Sequence, residues 1–430
     1  MSAATTEIHE TYSRTTLSNG IRVISSRMPH TQSASICVFV GTGSRNEKAA
    51  VGGISHFIEH MVFKGTNRRP EPKDISGPIE GVGGILNAET DHEYTCYWCK
   101  VPLSYFEEGL DLLADMLRNS VFAEAEIQKE RPVIIEELGM IADHPEYRVE
   151  VLTNQMLWND HPLGREVGGT KETVNDITRK QMLDYMETNY PASSIVVSVA
   201  GNVDHGRVVE LAEKLFGDWR EGVSPEPEKF TGSQVKPQVQ FEHRETEQMN
   251  LAVALYGLPA DHADRYALDL FNIVLGEGMS SRLFLEIRER LGLAYEVHSD
   301  STHFRDCGMF VVNAGVQPKQ VERAAEAIID EIVRAKEGIT EEELEKARRL
   351  SAGRMMLRME DSRAVAYWFG AQEVLLSRVK ETDDVVKDLE AVAIGEVHRV
   401  TKDLLRTERL NLVLVGPTRP SRHLRHILNL

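Results

Sequence analysis

The chain has 430 residues, 41% of them hydrophobic and 27% charged, a composition that excludes disorder and collagen-like repeats and a length that asks for two domains. Its 67 acidic against 49 basic residues give a net charge of -18, which repels a phosphate backbone, so no nucleic-acid partner is expected. Four scattered cysteines are too few for a disulfide framework and suit a reducing compartment.

At the N-terminus Glu7 and Glu10 precede any long apolar run, against a secretory signal or a transit peptide. No apolar stretch reaches the roughly 20 residues of a membrane span, so the expected location is cytoplasmic. A turn at Ser18, Asn19 and Gly20 leads into strands at 21–24 and 35–40, with further strands at 94–101 and 194–200. Apolar residues at three- and four-residue spacing predict helices at 54–64, 105–119, 124–142, 146–158 and 179–189. The stretch 218–238 loses this periodicity and gathers Pro225, Pro227 and Pro237, as a linker does. Beyond it the rhythm restarts: a strand at 250–258, helices at 263–275 and 282–291, strands at 295–302 and 309–314. Helices at 320–336, 341–359 and 363–376 and a strand at 410–415 close the chain. The expected fold is α+β, with two similar halves, each a mostly antiparallel sheet packed with helices: a first domain at 1–217, the linker at 218–238 and a second domain at 239–430.

His56, Glu59 and His60 form HxxEH within the first of these helices. Residues four apart on a helix stand one above the other, so both imidazoles aim at a common point, where they can hold a metal. Glu59 lies on the adjoining edge, within reach of a metal-bound water without ligating. Chance would give this pattern about 0.05 times in such a chain. The plainer reading is a pair of surface histidines on an amphipathic helix. Histidine pairs at catalytic zinc sites are commonly completed by a carboxylate. Glu130 and Glu137 sit two turns apart on one helical face, so one can ligate and the other support; an acidic solvent-facing stripe is the alternative. Pro132 between them predicts a kink.

The segment GGISHFIEHMVFKGT, 52–66, resembles the signature of the pitrilysin/insulinase superfamily of inverted-motif zinc peptidases, and especially the short subfamily of processing-peptidase subunits and their bacterial relatives. The likeness continues through Leu86, Asn87 and Ala88, through ERPVIIEEL at 130–138, and through GEGMSSRLFLEIRERLGLAY at 276–295. It implies zinc held by His56, His60 and Glu137, with Glu59 as general base and Glu130 in support. It further implies a strand edge at Asn87 and Ala88 that pairs with extended peptide, and Arg288 and Tyr295 holding the substrate backbone. In the short subfamily those last two come from the second domain of a partner chain, so a homodimer or a heterodimer with a zinc-less relative is expected. The activity implied is that of a zinc metalloendopeptidase; a non-catalytic core subunit of the same fold is the alternative.

Other signals are weaker. Cys96 and Cys99 form CxxC, but in a strand residues three apart point to opposite faces and cannot share a metal. Gly276 and Gly278 shape a turn, with Ser280 or Ser281 capping the next helix. His92, His144 and His161 are expected at the surface, with His92 close enough to the peptide-binding strand to support the site.

Overall fold

The computed structural model describes residues 5–421 and 424–428, so residues 1–4, 422–423 and 429–430, at the ends of the two expected domains, lie outside the described residues. The strands are β1 (Thr5–Ile8), β2 (Ser13–Thr16), β3 (Arg22–Arg27), β4 (Ser33–Val40), β5 (Ile85–Thr90), β6 (Thr95–Pro102), β7 (Ile195–Gly201), β8 (Gln238–His243), β9 (Met249–Tyr256), β10 (Ala294–His303), β11 (Gly308–Val316) and β12 (Asn411–Gly416). They form a seven-stranded sheet ordered β1-β2-β3-β7-β4-β6-β5 and a five-stranded sheet ordered β10-β11-β9-β12-β8.

The two sheets repeat one plan. In the first, β3 runs parallel to β7, and β7-β4, β4-β6 and β6-β5 pair antiparallel. In the second, β8 runs parallel to β12, and β12-β9, β9-β11 and β11-β10 pair antiparallel. The expectation of two similar α+β halves is met strand for strand, with the β1-β2 hairpin as an addition to the first.

Contacts divide the chain into two compact units that are not contiguous in sequence: residues 1–138, 165–228 and 356–381 in one, 139–164, 229–355 and 382–430 in the other. Residues 218–237 form no helix or strand, and β8 begins at Gln238, the last residue of the expected linker. The halves at 1–217 and 239–430 thus each surrender one helix. Pro145–Trp158 belongs to the second unit and Ser362–Leu376 to the first.

These exchanged helices explain why the central strands read as continuous apolar runs instead of alternating ones: both faces of each sheet are covered. In β4 and β6, Ile36, Val38, Tyr97 and Cys99 enter one core, while Cys37, Phe39, Cys96 and Trp98 enter another beside Val365 and Phe369 of the helix Ser362–Leu376. Cys96 and Cys99 therefore lie on opposite faces, and all four cysteines are buried and none forms a disulfide. Gly370 lets this helix ride close to the sheet, because a Cβ there would stand 2.3 Å from the Phe39 ring. Glu373, fully buried, accepts two hydrogen bonds from Arg14 of β2, at 2.9 and 3.1 Å. In the second unit Val149, Leu152 and Trp158 pack against Ala252, Val311 and Val413.

The segment Phe284–Arg290 is not the α-helix expected over 282–291. Its turns are widened to i→i+5 bonds, and the Leu291 N–H reaches Glu286 O at 3.0 Å. Six helices, Pro72–Glu80, Lys171–Asp176, His205–Phe216, Thr382–Ala391, Ile394–Leu404 and Leu424–Ile427, had no counterpart in the sequence reading. Among the described residues no helix is long and apolar enough to cross a membrane.

Candidate metal centre

The helix Ile54–Met61 is only two turns long, and Phe57, Ile58 and Met61 press it into the first unit's core. The opposite stripe, His56, Glu59 and His60, stays half-buried. The helix ends three residues before the expected Lys64, but the whole HxxEH segment lies inside it. Beside it runs the helix Glu124–Asp143, unbroken through Pro132. An interior proline costs about 3 kcal/mol in an isolated helix. Here Arg131 offsets it with tertiary anchors, donating to Ile177 O at 2.9 Å and stacking over the Phe57 ring at 5.5 Å.

This pairing brings Glu130 and Glu137 to the two histidines. His56 Nε2 and His60 Nε2 lie 3.3 Å apart, and Glu137 Oε2 stands 3.8 Å from the first and 3.5 Å from the second. A tetrahedral zinc with bonds of about 2.0–2.1 Å spaces its ligand atoms about 3.3 Å apart. Two imidazole nitrogens and a carboxylate oxygen at these separations fit that ion. Among the described residues this is the only such group of three. Its neighbour Glu136 is exposed, so the geometry distinguishes the two adjacent glutamates.

Glu130 is 7% exposed, unlike a solvent-facing acid. Its Oε1 accepts from His60 Nδ1 at 2.9 Å and its Oε2 from Lys64 Nζ at 2.6 Å. Burial works against its charge, but these two bonds prevail and hold its carboxyl below the usual range. A bond from His60 likewise lowers Glu137. The histidines diverge. Burial and then the neighbouring His60 push His56 down to about 4. Burial also works to lower His60, but its bonds to Glu130 and Glu137 outweigh it and carry the ring up to about 9. His56 Nδ1 is buried with no hydrogen-bond partner, against Gly168.

Glu59 accepts at Oε2 from Thr90 Oγ1 at 2.5 Å, and burial pushes its carboxyl up despite that bond. Thr90 ends β5, the outer strand of the seven-stranded sheet. Asn87 and Ala88 lie on this edge, where the Ala88 N–H donates to the Asn87 side-chain oxygen at 2.8 Å. Arg288 and Tyr295 belong to the second unit. There the Arg288 guanidinium lies 4.8 Å from each of the Phe284 and Tyr295 rings, and Tyr295 is 75% exposed. His92 meets Ser44 Oγ at 2.9 Å. His161, expected at the surface, is buried against the Phe230 ring and accepts from the Leu163 N–H, because its loop turns inward under that ring.

Sequence reasoning did not find Lys64 or Thr90 as supports of the site. Lys64, four residues past His60, carried a spacing signal; Thr90 carried none.

Residues 22–171 match the sequence family Insulinase (Peptidase family M16), and residues 176–351 match Peptidase M16 inactive domain. The uncharacterized zinc protease YmxG of Bacillus subtilis is 36% identical over 410 residues, 94% of this chain and 98% of its own length. The uncharacterized zinc protease SCO5738 of Streptomyces coelicolor is 35% identical, over 95% of this chain and 90% of its own. Among solved structures, a protease from Helicobacter pylori superposes with a TM-score of 0.89 at 24% identity, covering 96% of this chain and all of that one. A chain of complex III2 from Candida albicans gives 0.83 at 18% identity, over 97% and 99%. Both structural likenesses speak for the fold.

Proposed function

The chain belongs to the insulinase family of M16 peptidases, and from that premise we propose that it is a zinc metalloendopeptidase acting on unfolded or extended peptides. One observation carries the reading: the closing of His56 Nε2, His60 Nε2 and Glu137 Oε2 into a triangle with edges of 3.3, 3.5 and 3.8 Å, with Glu59 on the same helix. Those three side chains would hold the ion, which when bound supplies a Lewis acid that polarises a carbonyl and acidifies water.

The rest is the work of the chain's own residues. Thr90 occupies Glu59 Oε2 and leaves Oε1 to take the proton of the attacking water and pass it to the departing amine nitrogen. Glu130 fixes the ring of His60 through Nδ1, as carboxylate partners of metal-binding histidines do. The free edge at Asn87 and Ala88 suits an extended peptide, which would add as a strand once the Asn87 side chain releases the Ala88 amide. Arg288 and Tyr295 would hold the substrate backbone. Because this chain carries both that pair and the zinc motif, a homodimer suffices, and pairing with a zinc-less relative is the other arrangement. Four buried cysteines that form no disulfide suit a cytoplasmic enzyme.

The alternative, a non-catalytic core subunit, has no use for the intact set of His56, Glu59, His60 and Glu137, and that completeness favours catalysis. A panel of fluorogenic peptides, with and without chelator, tests the proposal. Cleavage that stops with chelator and returns with zinc is expected; no cleavage of any peptide by the zinc-loaded protein contradicts it.

A further inference from the structure

A helix of two turns is marginal by itself, and its amide hydrogens in the first turn have no partner within the helix. The helix Ile54–Met61 begins at Gly53, which has φ +89° and no side chain to cap those amides. No capping residue could stand there, because a Cβ on Gly53 would lie 2.3 Å from Gly168 O. Gly169, at φ +80°, makes the matching approach from the other side, with a Cβ position 2.2 Å from Gly52 O. The backbone is clasped too tightly for the usual Ser, Thr or Asp cap.

The missing acceptor comes from six residues upstream. Glu47 is 5% exposed, and its Oε2 accepts from the Gly53 N–H at 2.7 Å while its Oε1 accepts from the Ser55 N–H at 2.8 Å. A carboxylate at a helix N-terminus also meets the positive end of the helix dipole. Its own segment is held in turn, since Arg165 Nη2 donates to Glu47 O at 2.8 Å. Ser55 Oγ shares a hydrogen bond with Tyr185 Oη at 2.9 Å, so the first turn is gripped on two sides. The next residue along the helix is His56.

We infer that Glu47 is a positioning residue for the metal centre: its buried carboxylate fixes the first turn of the helix that carries His56, Glu59 and His60, and so sets the spacing of the metal-binding nitrogens. Burial pushes this carboxyl up to about 7 against the pull of the two amides, so the anchor is kept at a cost in desolvation. A cap needed only for helix content would not require a buried carboxylate. A ligand pair that must keep its geometry to within about 0.5 Å does require a rigid first turn.

The inference rests on His56 and His60 as metal ligands, and its test reads metal binding in the full-length chain without relying on peptide cleavage. Glu47→Gln keeps the shape but replaces one acceptor oxygen with a donor that opposes the amide it faces. Glu47→Asp keeps the charge and withdraws it by one methylene. Both variants should stay folded in chelator, with melting temperatures near that of the parent. Their zinc affinity, measured by chelator competition, should fall about tenfold to a hundredfold, and the absorption bands of the cobalt(II)-loaded protein should shift. Folded variants with the parent's zinc affinity and cobalt spectrum overturn the assignment. Variants that both unfold in chelator also overturn it, leaving Glu47 a residue of the fold alone. A parent chain that binds no zinc sinks the proposed function together with this assignment, whereas a parent that binds zinc beside variants that bind it equally sinks this assignment alone.

Discussion

The helices Ile54–Met61 and Arg265–Gly276 each follow the middle antiparallel strand, β4 or β9, of a sheet built to the same order, yet they use the position differently. The first keeps a half-buried stripe of His56, Glu59 and His60. The second is buried from Ala267 to Gly276 apart from Asp269, and Phe271 packs its ring 5.8 Å from that of Phe310 in β11. The first is pinned at its start by a buried carboxylate from outside the helix; the second starts at Asp264, whose side chain makes no cap and pairs instead with Arg399. One framework thus serves twice, once as the holder of a candidate metal centre and once as a packed support. What separates the two is which side chains the helix leaves out of the core.

The comparison can be broken most severely at the histidines. His56→Ala leaves a single imidazole beside Glu137, and hydrolysis of peptides should fall to background, as a fluorogenic assay would show. Next comes Glu59→Gln, which removes the base but no ligand: kcat should drop about 10²–10⁴-fold while bound zinc, measured on the same sample, is unchanged. Glu130→Gln should lower zinc affinity about tenfold to a hundredfold in chelator competition at pH 9. In the parent, that affinity should climb with pH, because His60 holds its proton up to about 9 and must release it to bind metal; each pH unit below that value should weaken binding about tenfold. The smallest effect is in the second half. Asp269→Asn weakens the 2.8 Å contact with His303 and should lower stability by about 1 kcal/mol in urea unfolding, with zinc content untouched.

Much of the framework could be read in advance because its signals are local. The runs in β4, β6 and β7 are mostly apolar, and the helices around them keep a three- and four-residue spacing. What could not be read was the exchange of Pro145–Trp158 and Ser362–Leu376 between units: their periodicity says that they bury a face, not which sheet they bury it against. The helix His205–Phe216 was missed although its signals were present, with Asp204 at its cap and Val208, Leu211 and Ala212 spaced for one buried face. The widened turn at Phe284–Arg290 was not, since its sequence is equally suited to an α-helix. In the candidate metal centre, HxxEH marked His56 and His60 as candidate ligands by their spacing. Glu137 needed the resemblance to be singled out from Glu130 and Glu136, because three nearby acids differ in burial and not in chemistry. Thr90 and Glu47 reach the site only through tertiary folding, 31 residues after Glu59 and six before Gly53.

The direct test of the metal assignment is the zinc content of purified chain after dialysis against limiting zinc, measured by mass spectrometry for the parent and for His60→Ala and Glu137→Ala. One tightly held zinc per parent chain, lost or markedly weakened in both variants, is the predicted result. A parent without tightly held metal, or zinc that stays at full occupancy and affinity in both variants, contradicts it.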